Sequence, residues 1–322
     1  MAQFLRVLSL FVIISFMPLA TRAATAPDLS LPADATGILA HIYSGDWETA
    51  ITEARQMQER APEHPLGYLL EGEARWWTIW CSAAEFKYGM TMPRHRDRLA
   101  ADQPYMEAAA KAYKLAEVAL KHHETAEMRL YAGMADALAA RLYGLRQENR
   151  ATARAGVRAR ENFQRALALD PSLADAYTGL GLYNYYVDTL SSFARLLRFF
   201  MGIPGGSKED GIRQLQRAAR EGRLTPPLAR FYLAMDLHNY DQKYEEALRA
   251  ISPLVEQYPE NPFFQLARGD LYAKLGRKQQ ALASYRAAGA AKLHDEECYR
   301  KIQLLVRQSV GALGLKESTT KP

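Results

Sequence analysis

Three short stretches of this 322-residue chain carry residue types that could do chemistry. In GIPGGSKED, Gly202 to Asp210, a glycine-rich turn runs through Lys208 into a helical pattern, the outline of a phosphate-binding loop. Such a loop follows a buried strand and needs a second glycine, then lysine, then Ser or Thr, so that main-chain N–H groups cradle the phosphates. Counted from Gly202, Ser207 stands at the glycine position and Glu209 at the hydroxyl position, and no strand pattern precedes them. A local account fits better: Ser207 caps a new helix with Asp210 three residues on, and Glu209 and Asp210 suit the positive helix end. Lys208, beside that end, is a candidate anion contact.

HRDR, His95 to Arg98, has the lettering of a kinase catalytic loop, but Asp102 occupies the place of the required asparagine and no lysine strand or glycine-rich strand loop accompanies it. His122, His123 and Glu124 are adjacent, so on a helix their side chains splay apart, whereas helical metal sites use i, i+4 spacing. No GxSxG occurs and the histidines are scattered, so nothing assembles a nucleophile with a base and an orienting group. The expectation is a protein with no catalytic residue, no metal site and no cofactor.

From about Thr36 onward the apolar residues recur at helical spacing, with Gly and Pro punctuating runs of ten to twenty residues. One pattern repeats. In GDWETAITEARQMQERAP, Ala50, Ala54 and Met57 form one face and Pro62 closes the unit. In AGVRARENFQRALALDP the same places hold Ala159, Phe163, Ala166 and Pro171, and in QKYEEALRAISPLVEQYP they hold Ala247, Ile251, Leu254 and Pro259. GRKQQALASYRAAG adds Ala281, Tyr285 and Ala288. Upstream helices supply the other half, with Tyr177, Leu180 and Gly181 in one and Gly269 and Tyr272 in another. A small residue lets the second helix sit close to the first, larger ones fill the gap, and proline stops the unit.

This pattern resembles the tetratricopeptide repeat. The resemblance implies an all-α solenoid of helix pairs in a right-handed superhelix, since one pair cannot bury its apolar face alone. It divides the chain into a signal peptide (1–23), a linker (24–36), N-terminal repeats (37–173, divergent in 75–145), C-terminal repeats (174–315) with an apolar insertion at 187–204, and a tail (316–322). In the divergent part, ARWWTIWCSAAEFKYGM and the stretch around His122 read as longer helices of the same type. The order of parts from Ala174 to Ala288 is also similar to the tetratricopeptide repeat protein 39 group, on Leu196, Leu197, Gly202, Gly205, Gly206, Gly211, Tyr258, Pro259 and Phe264. No function is carried over from that group.

The resemblance implies an inner groove lined by fixed positions of each first helix. These fall on Asp175, Thr178, Leu182, Tyr185 and Tyr186, on Ala229, Tyr232, Asp236, Asn239 and Tyr240, and on Phe263, Leu266, Asp270, Ala273 and Lys274. Tyr185, Tyr186, Tyr232, Asp236, Asn239, Tyr240, Asp270 and Lys274 are the candidate partner-binding residues, because tyrosine buries area at low entropy cost and offers a hydroxyl. The competing reading packs the tyrosines between helices.

Two further features stand out. Arg146, Arg150, Arg154 and Arg158 recur at i+4, a row that repels itself unless acids or a ligand neutralise it, and with Lys208 they are candidate anion-binding residues. In VDTLSSFARLLRFFMGIP, Leu190, Phe193, Leu197 and Phe200 form an apolar face that is either buried or a peripheral membrane contact.

The N-terminus has one early arginine, an apolar run and a small-residue end at Ala23, the layout of a secretory signal. The run is shorter than the about 20 residues a bilayer span requires. Cleavage there removes Arg6 and Arg22 and no acid, so the formal charge of +5 falls to +3, too mild to point to nucleic acid. Cys81 and Cys298 are far apart in an array whose units touch only neighbours, so two separate buried thiols are expected. Together these features predict an exported scaffold or adaptor that binds a protein or peptide in the periplasm or cell envelope. The alternative is a small-molecule or lipid-binding component of an envelope transport or assembly system.

Overall fold

The computed structural model describes residues 31–190 and 202–314. The signal layout, the tail, and Phe193, Leu196, Leu197 and Phe200 lie outside the described residues. The elements are α1 (Ala33–Ser44), α2 (Trp47–Arg60), α3 (Pro65–Ala83), β1 (Ala84–Lys87), β2 (Met90–Pro93), α4 (Asp102–His122), α5 (Ala126–Leu145), α6 (Asn149–Leu169), α7 (Ala176–Thr189), α8 (Lys208–Glu221), α9 (Pro226–Asn239), α10 (Tyr244–Gln257), α11 (Pro262–Lys274), α12 (Lys278–Gly289) and α13 (Glu296–Ala312).

Local chemistry sets these boundaries. Asp46, Thr125, Ser207, Asn261 and Asp295 each accept a main-chain N–H from the first turn of the helix they precede, which satisfies donors the helix cannot. Proline opens α3, α9 and α11, where its missing N–H costs nothing. Each helix packs on the next through the residues the repeat pattern places inward: Ala50 and Ala54 on α2, Ala159 and Ala166 on α6, Ala247 and Ile251 on α10, and Ala281 and Tyr285 on α12 are all buried. The result is a helical-hairpin solenoid.

One departure from the all-helical expectation is the stretch AEFKYGMTMP. Instead of extending α3 it forms an antiparallel hairpin, pairing Ala84 with Pro93, Glu85 with Met92, Phe86 with Thr91 and Lys87 with Met90. Its two-residue turn is Tyr88 (φ 58) and Gly89 (φ 74), the positive-φ pair that matches strand twist. Alternation of Met90 and Met92 after that glycine is the sequence signal of it.

A second departure is larger. The array does not touch only its neighbours: its N-terminal helices pack against its C-terminal repeats. The Trp77 ring lies 5.1 Å from Phe231 on α9 and 5.7 Å from Phe264 on α11, and Trp47 stacks on Phe263 at 5.8 Å. Asn261 donates from Nδ2 to the Tyr43 carbonyl at the end of α1. Trp77, Phe231, Phe263 and Phe264 are all buried, each ring worth about 1.5–3 kcal/mol of burial. Cys81, near the end of α3, is disulfide-bonded to Cys298 in the first turn of α13, with Cα atoms 5.7 Å apart. The expectation of two separate thiols is therefore corrected, and its premise fails for the same reason: closure brings α3 against α13.

Candidate functional site

Two environments divide the positions of α7, α9 and α11 that the repeat pattern assigns to the groove. Over α11 and part of α9 the groove is already filled. Asp270 is buried; its Oδ2 accepts the Thr91 main-chain N–H at 2.7 Å and its Oδ1 accepts the Tyr285 hydroxyl at 2.9 Å. Burial pushes its carboxyl up to about 7, against the partly compensating hydrogen bonds from Thr91 and Tyr285. Lys274 Nζ donates to the Tyr88 carbonyl at 2.9 Å, and Asn239 Nδ2 contacts Met92 Sδ at 3.7 Å. Tyr232 is buried beside the ion pair of Arg141 with Glu73, where Nη2 and Oε2 are 2.7 Å apart, and burial raises its hydroxyl to about 12. Arg141 in turn sits 4.4 Å above the Trp76 ring.

Toward α7 the groove is more open. Tyr185, Tyr186 and Tyr240 form an edge-to-face trio with ring centroids 5.9–6.1 Å apart. Tyr185 is fully buried, its hydroxyl 3.0 Å from both the Asp236 carbonyl and Asp241 Oδ2. Tyr186 keeps 36% of its surface and Tyr240 keeps 53%. The Tyr186 hydroxyl nonetheless points inward and donates to Asp236 Oδ1 at 2.9 Å. Asp236 is 1% exposed, and its Oδ2 has no hydrogen-bond partner among the described residues. Burial holds this carboxyl far above the usual range, and the nearby Asp241 adds to the effect. Two residues on, His238 is buried with its imidazole pushed down to about 4 by desolvation.

What decides the repeat type is the close approach of paired helices. A Cβ on Gly133 of α5, Gly179 of α7 or Gly269 of α11 would overlap the ring of Phe163, Phe163 or Tyr285 respectively, the large residue of the facing helix. This is the close packing of small against large residues that the repeat pattern predicts. No family model and no curated sequence matches the chain. Among solved structures it is similar to MamA, at 17% identity and a TM-score of 0.40 over 64% of this chain and 98% of that one. It is also similar to YrrB, a TPR protein with an unusual peptide-binding site, at 16% identity and 0.32 over 78% and 97%. A third is the C-terminal part of a TPR repeat-containing protein from Cytophaga hutchinsonii, at 14% identity and 0.35 over 89% and 96%. Likeness at this level concerns the helix-pair fold and nothing further.

The remaining candidates are dispersed. The arginines do not form one row: Arg146 follows the end of α5, in the turn, whereas Arg150, Arg154 and Arg158 belong to α6. Arg146 is buried in a fork on Asp102, at 2.6 and 2.7 Å, and Arg158 pairs with Asp136. Arg150 and Arg154 are exposed. At the start of α8, Lys208 Nζ pairs with Asp241, and the helix end is already occupied by a carboxylate of the chain itself, Asp188 Oδ2 accepting the Lys208 main-chain N–H at 3.0 Å. Of the apolar face, only Leu190 is described, at 38% exposure. The hairpin residues Thr91, Met92 and Tyr88, and the tryptophans of α3, are groove components that repeat spacing did not reveal.

Proposed function

We propose that this protein is an exported tetratricopeptide adaptor that holds a protein or peptide partner in the periplasm or cell envelope and has no chemistry of its own. The observation that carries the reading is the pair Tyr186 and Tyr240, ring against ring at 6.1 Å and exposed at inner positions of adjacent first helices. Such a pair offers apolar area held in place, because Tyr186 is fixed through its hydroxyl to the buried Asp236, and rigid aromatic area is what anchors protein interfaces. The Cys81–Cys298 bond supports an oxidising compartment, in keeping with the signal layout of the first 23 residues.

Affinity capture from envelope extracts, comparing wild type with Tyr240→Ala, tests the reading. Tyr240 makes ring contacts but no side-chain hydrogen bond among the described residues, so the variant is expected to fold. Partners identified by mass spectrometry should be retained by wild type and lost by the variant. Equal retention would overturn the assignment of this surface.

A further inference from the structure

The filled half of the groove is met largely by main-chain atoms. Asp270 accepts a hydrogen bond from the Thr91 N–H, and Lys274 donates one to the carbonyl of Tyr88. Every peptide carries both groups, and here they lie at the Tyr88–Gly89 turn and just beyond it, so these contacts would serve any chain that reverses direction at the same place. The side chains that accompany them are Met90 and Thr91, both buried, with Phe86 and Met92 packed in part against the core. Methionine adapts to irregular surfaces and is easily replaced by another flexible apolar side chain.

The hairpin that makes these contacts is weakly built at its tip and firmly held at its base. Each strand has four residues, and a lone two-stranded hairpin is marginal in water. Tyr88 sits at φ 58 with 76% of its surface exposed, a backbone setting that costs a bulky residue about 1 kcal/mol or more. The base differs: the Ala83 carbonyl accepts N–H groups from both Arg94 and His95, and Cys81 is bonded to Cys298. Lifting the tip therefore breaks the contacts to Asp270, Lys274 and Asn239 while α3 and the disulfide stay in place.

We propose that the β1–β2 hairpin is a displaceable internal ligand: it covers α11 and the end of α9 in the free protein, and a hairpin-forming segment of a partner chain takes its place. The incoming segment presents a main-chain N–H to Asp270 and a carbonyl to Lys274, with flexible apolar side chains flanking that N–H as Met90 and Met92 flank Thr91. This inference rests on the adaptor reading and adds to it the partner's chemistry, a strand–turn–strand segment in preference to a helix, and the device that keeps the groove closed until the partner arrives.

The test uses full-length protein in which residues 86–91 are replaced by a Gly-Ser linker of equal length, and a fluorescent peptide of the chain's own sequence AEFKYGMTMP as probe. The variant should bind the probe at least about tenfold more tightly than wild type, and adding Lys274→Ala should weaken that binding. Helical circular dichroism and the absence of free thiols report that the variant is folded. In wild type, native-state hydrogen exchange should show the amides of residues 86–91 opening locally, well before those of α11. A folded variant that binds the probe no better than wild type overturns the proposal, and so do hairpin amides that exchange as slowly as those of α11. Should the variant not fold, the exchange measurement decides alone. Partner loss in Tyr240→Ala without probe binding would leave the adaptor reading standing and remove this one.

Discussion

Cys81 and Cys298 are covalently joined although 217 positions separate them, and the bond lies where α3 meets α13, at the point where the array closes. A cross-link over so long a loop restricts the unfolded chain strongly; chain entropy alone gives about 5 kcal/mol, and native disulfides measured by removal give about 2–5. Replacing both cysteines by serine should therefore lower the unfolding free energy by an amount in that range, seen as a lower denaturant midpoint, and a reductant should do the same to the wild-type protein while leaving the double variant unaffected. Because Trp77 still packs on Phe231 and Phe264, the reduced protein should remain helical. An unchanged midpoint under reductant would contradict a bond that holds the closure.

Asp270 and His238 give stability opposite dependences on pH. The folded-state carboxyl of Asp270 lies near 7, above its unfolded value, so its contribution is full in acid and is lost as pH rises through 7. His238 is depressed to about 4, so its contribution is full above the unfolded value and is lost as pH falls toward 4. The two partly cancel in wild type, and single variants separate them. Asp270→Asn should become more stable relative to wild type between pH 5 and pH 8, and His238→Gln more stable relative to wild type between pH 7 and pH 5. Urea unfolding at the three pH values reads both; relative stabilities that do not move with pH would contradict the buried settings of these groups.

Glycine has two different roles within the repeats. At Gly269 an added methyl meets the Tyr285 ring of the facing helix, so Gly269→Ala forces the pair apart and should cost about 1–3 kcal/mol. At Gly156, inside α6, the nearest atom is Tyr183 Cδ2 at 3.9 Å, an ordinary contact. Gly156→Ala should therefore stabilise by about 0.5–1 kcal/mol through the lower entropy of the unfolded chain. Thermal unfolding of the two variants should shift in opposite directions.

The helix pairs were legible because their packing is local. Gly269 with Tyr285, or Gly179 with Phe163, is a small-against-large match between neighbouring helices, and the sequence states it at fixed spacing. Closure was not legible for the converse reason: the contact of Trp77 with Phe231 depends on the summed curvature of several units, which no single unit encodes. A trace of it is present in ARWWTIWC, since Trp76, Trp77 and Trp80 give α3 more apolar surface than one neighbouring helix can cover. At the candidate site, repeat positions placed Tyr186, Asp236 and Asp270 inward, but the burial of Asp270 under Thr91 depends on a hairpin whose residues read as an extension of a helix. Spacing alone also joined Arg146 to Arg150, because i+4 periodicity runs on through a turn that the chain, not the count, decides.

That turn makes the arginines a sharp test. Arg146 is 9% exposed and forks onto Asp102, itself 8% exposed, with a further hydrogen bond to the His95 carbonyl. Removing the guanidinium leaves a buried carboxylate and a carbonyl without their partner, a loss of about 3–5 kcal/mol. Arg154 lies on the solvent side of α6, where alanine also favours the helix, so Arg154→Ala should stay within about 0.5 kcal/mol of wild type. If the four arginines acted as one ligand-binding row, the two substitutions would weaken anion binding alike and leave stability alike. Denaturant unfolding should instead separate them, Arg146→Ala lowering the midpoint strongly and Arg154→Ala hardly at all, and comparable destabilisation by both would contradict the separate placement of Arg146 in the α5–α6 turn.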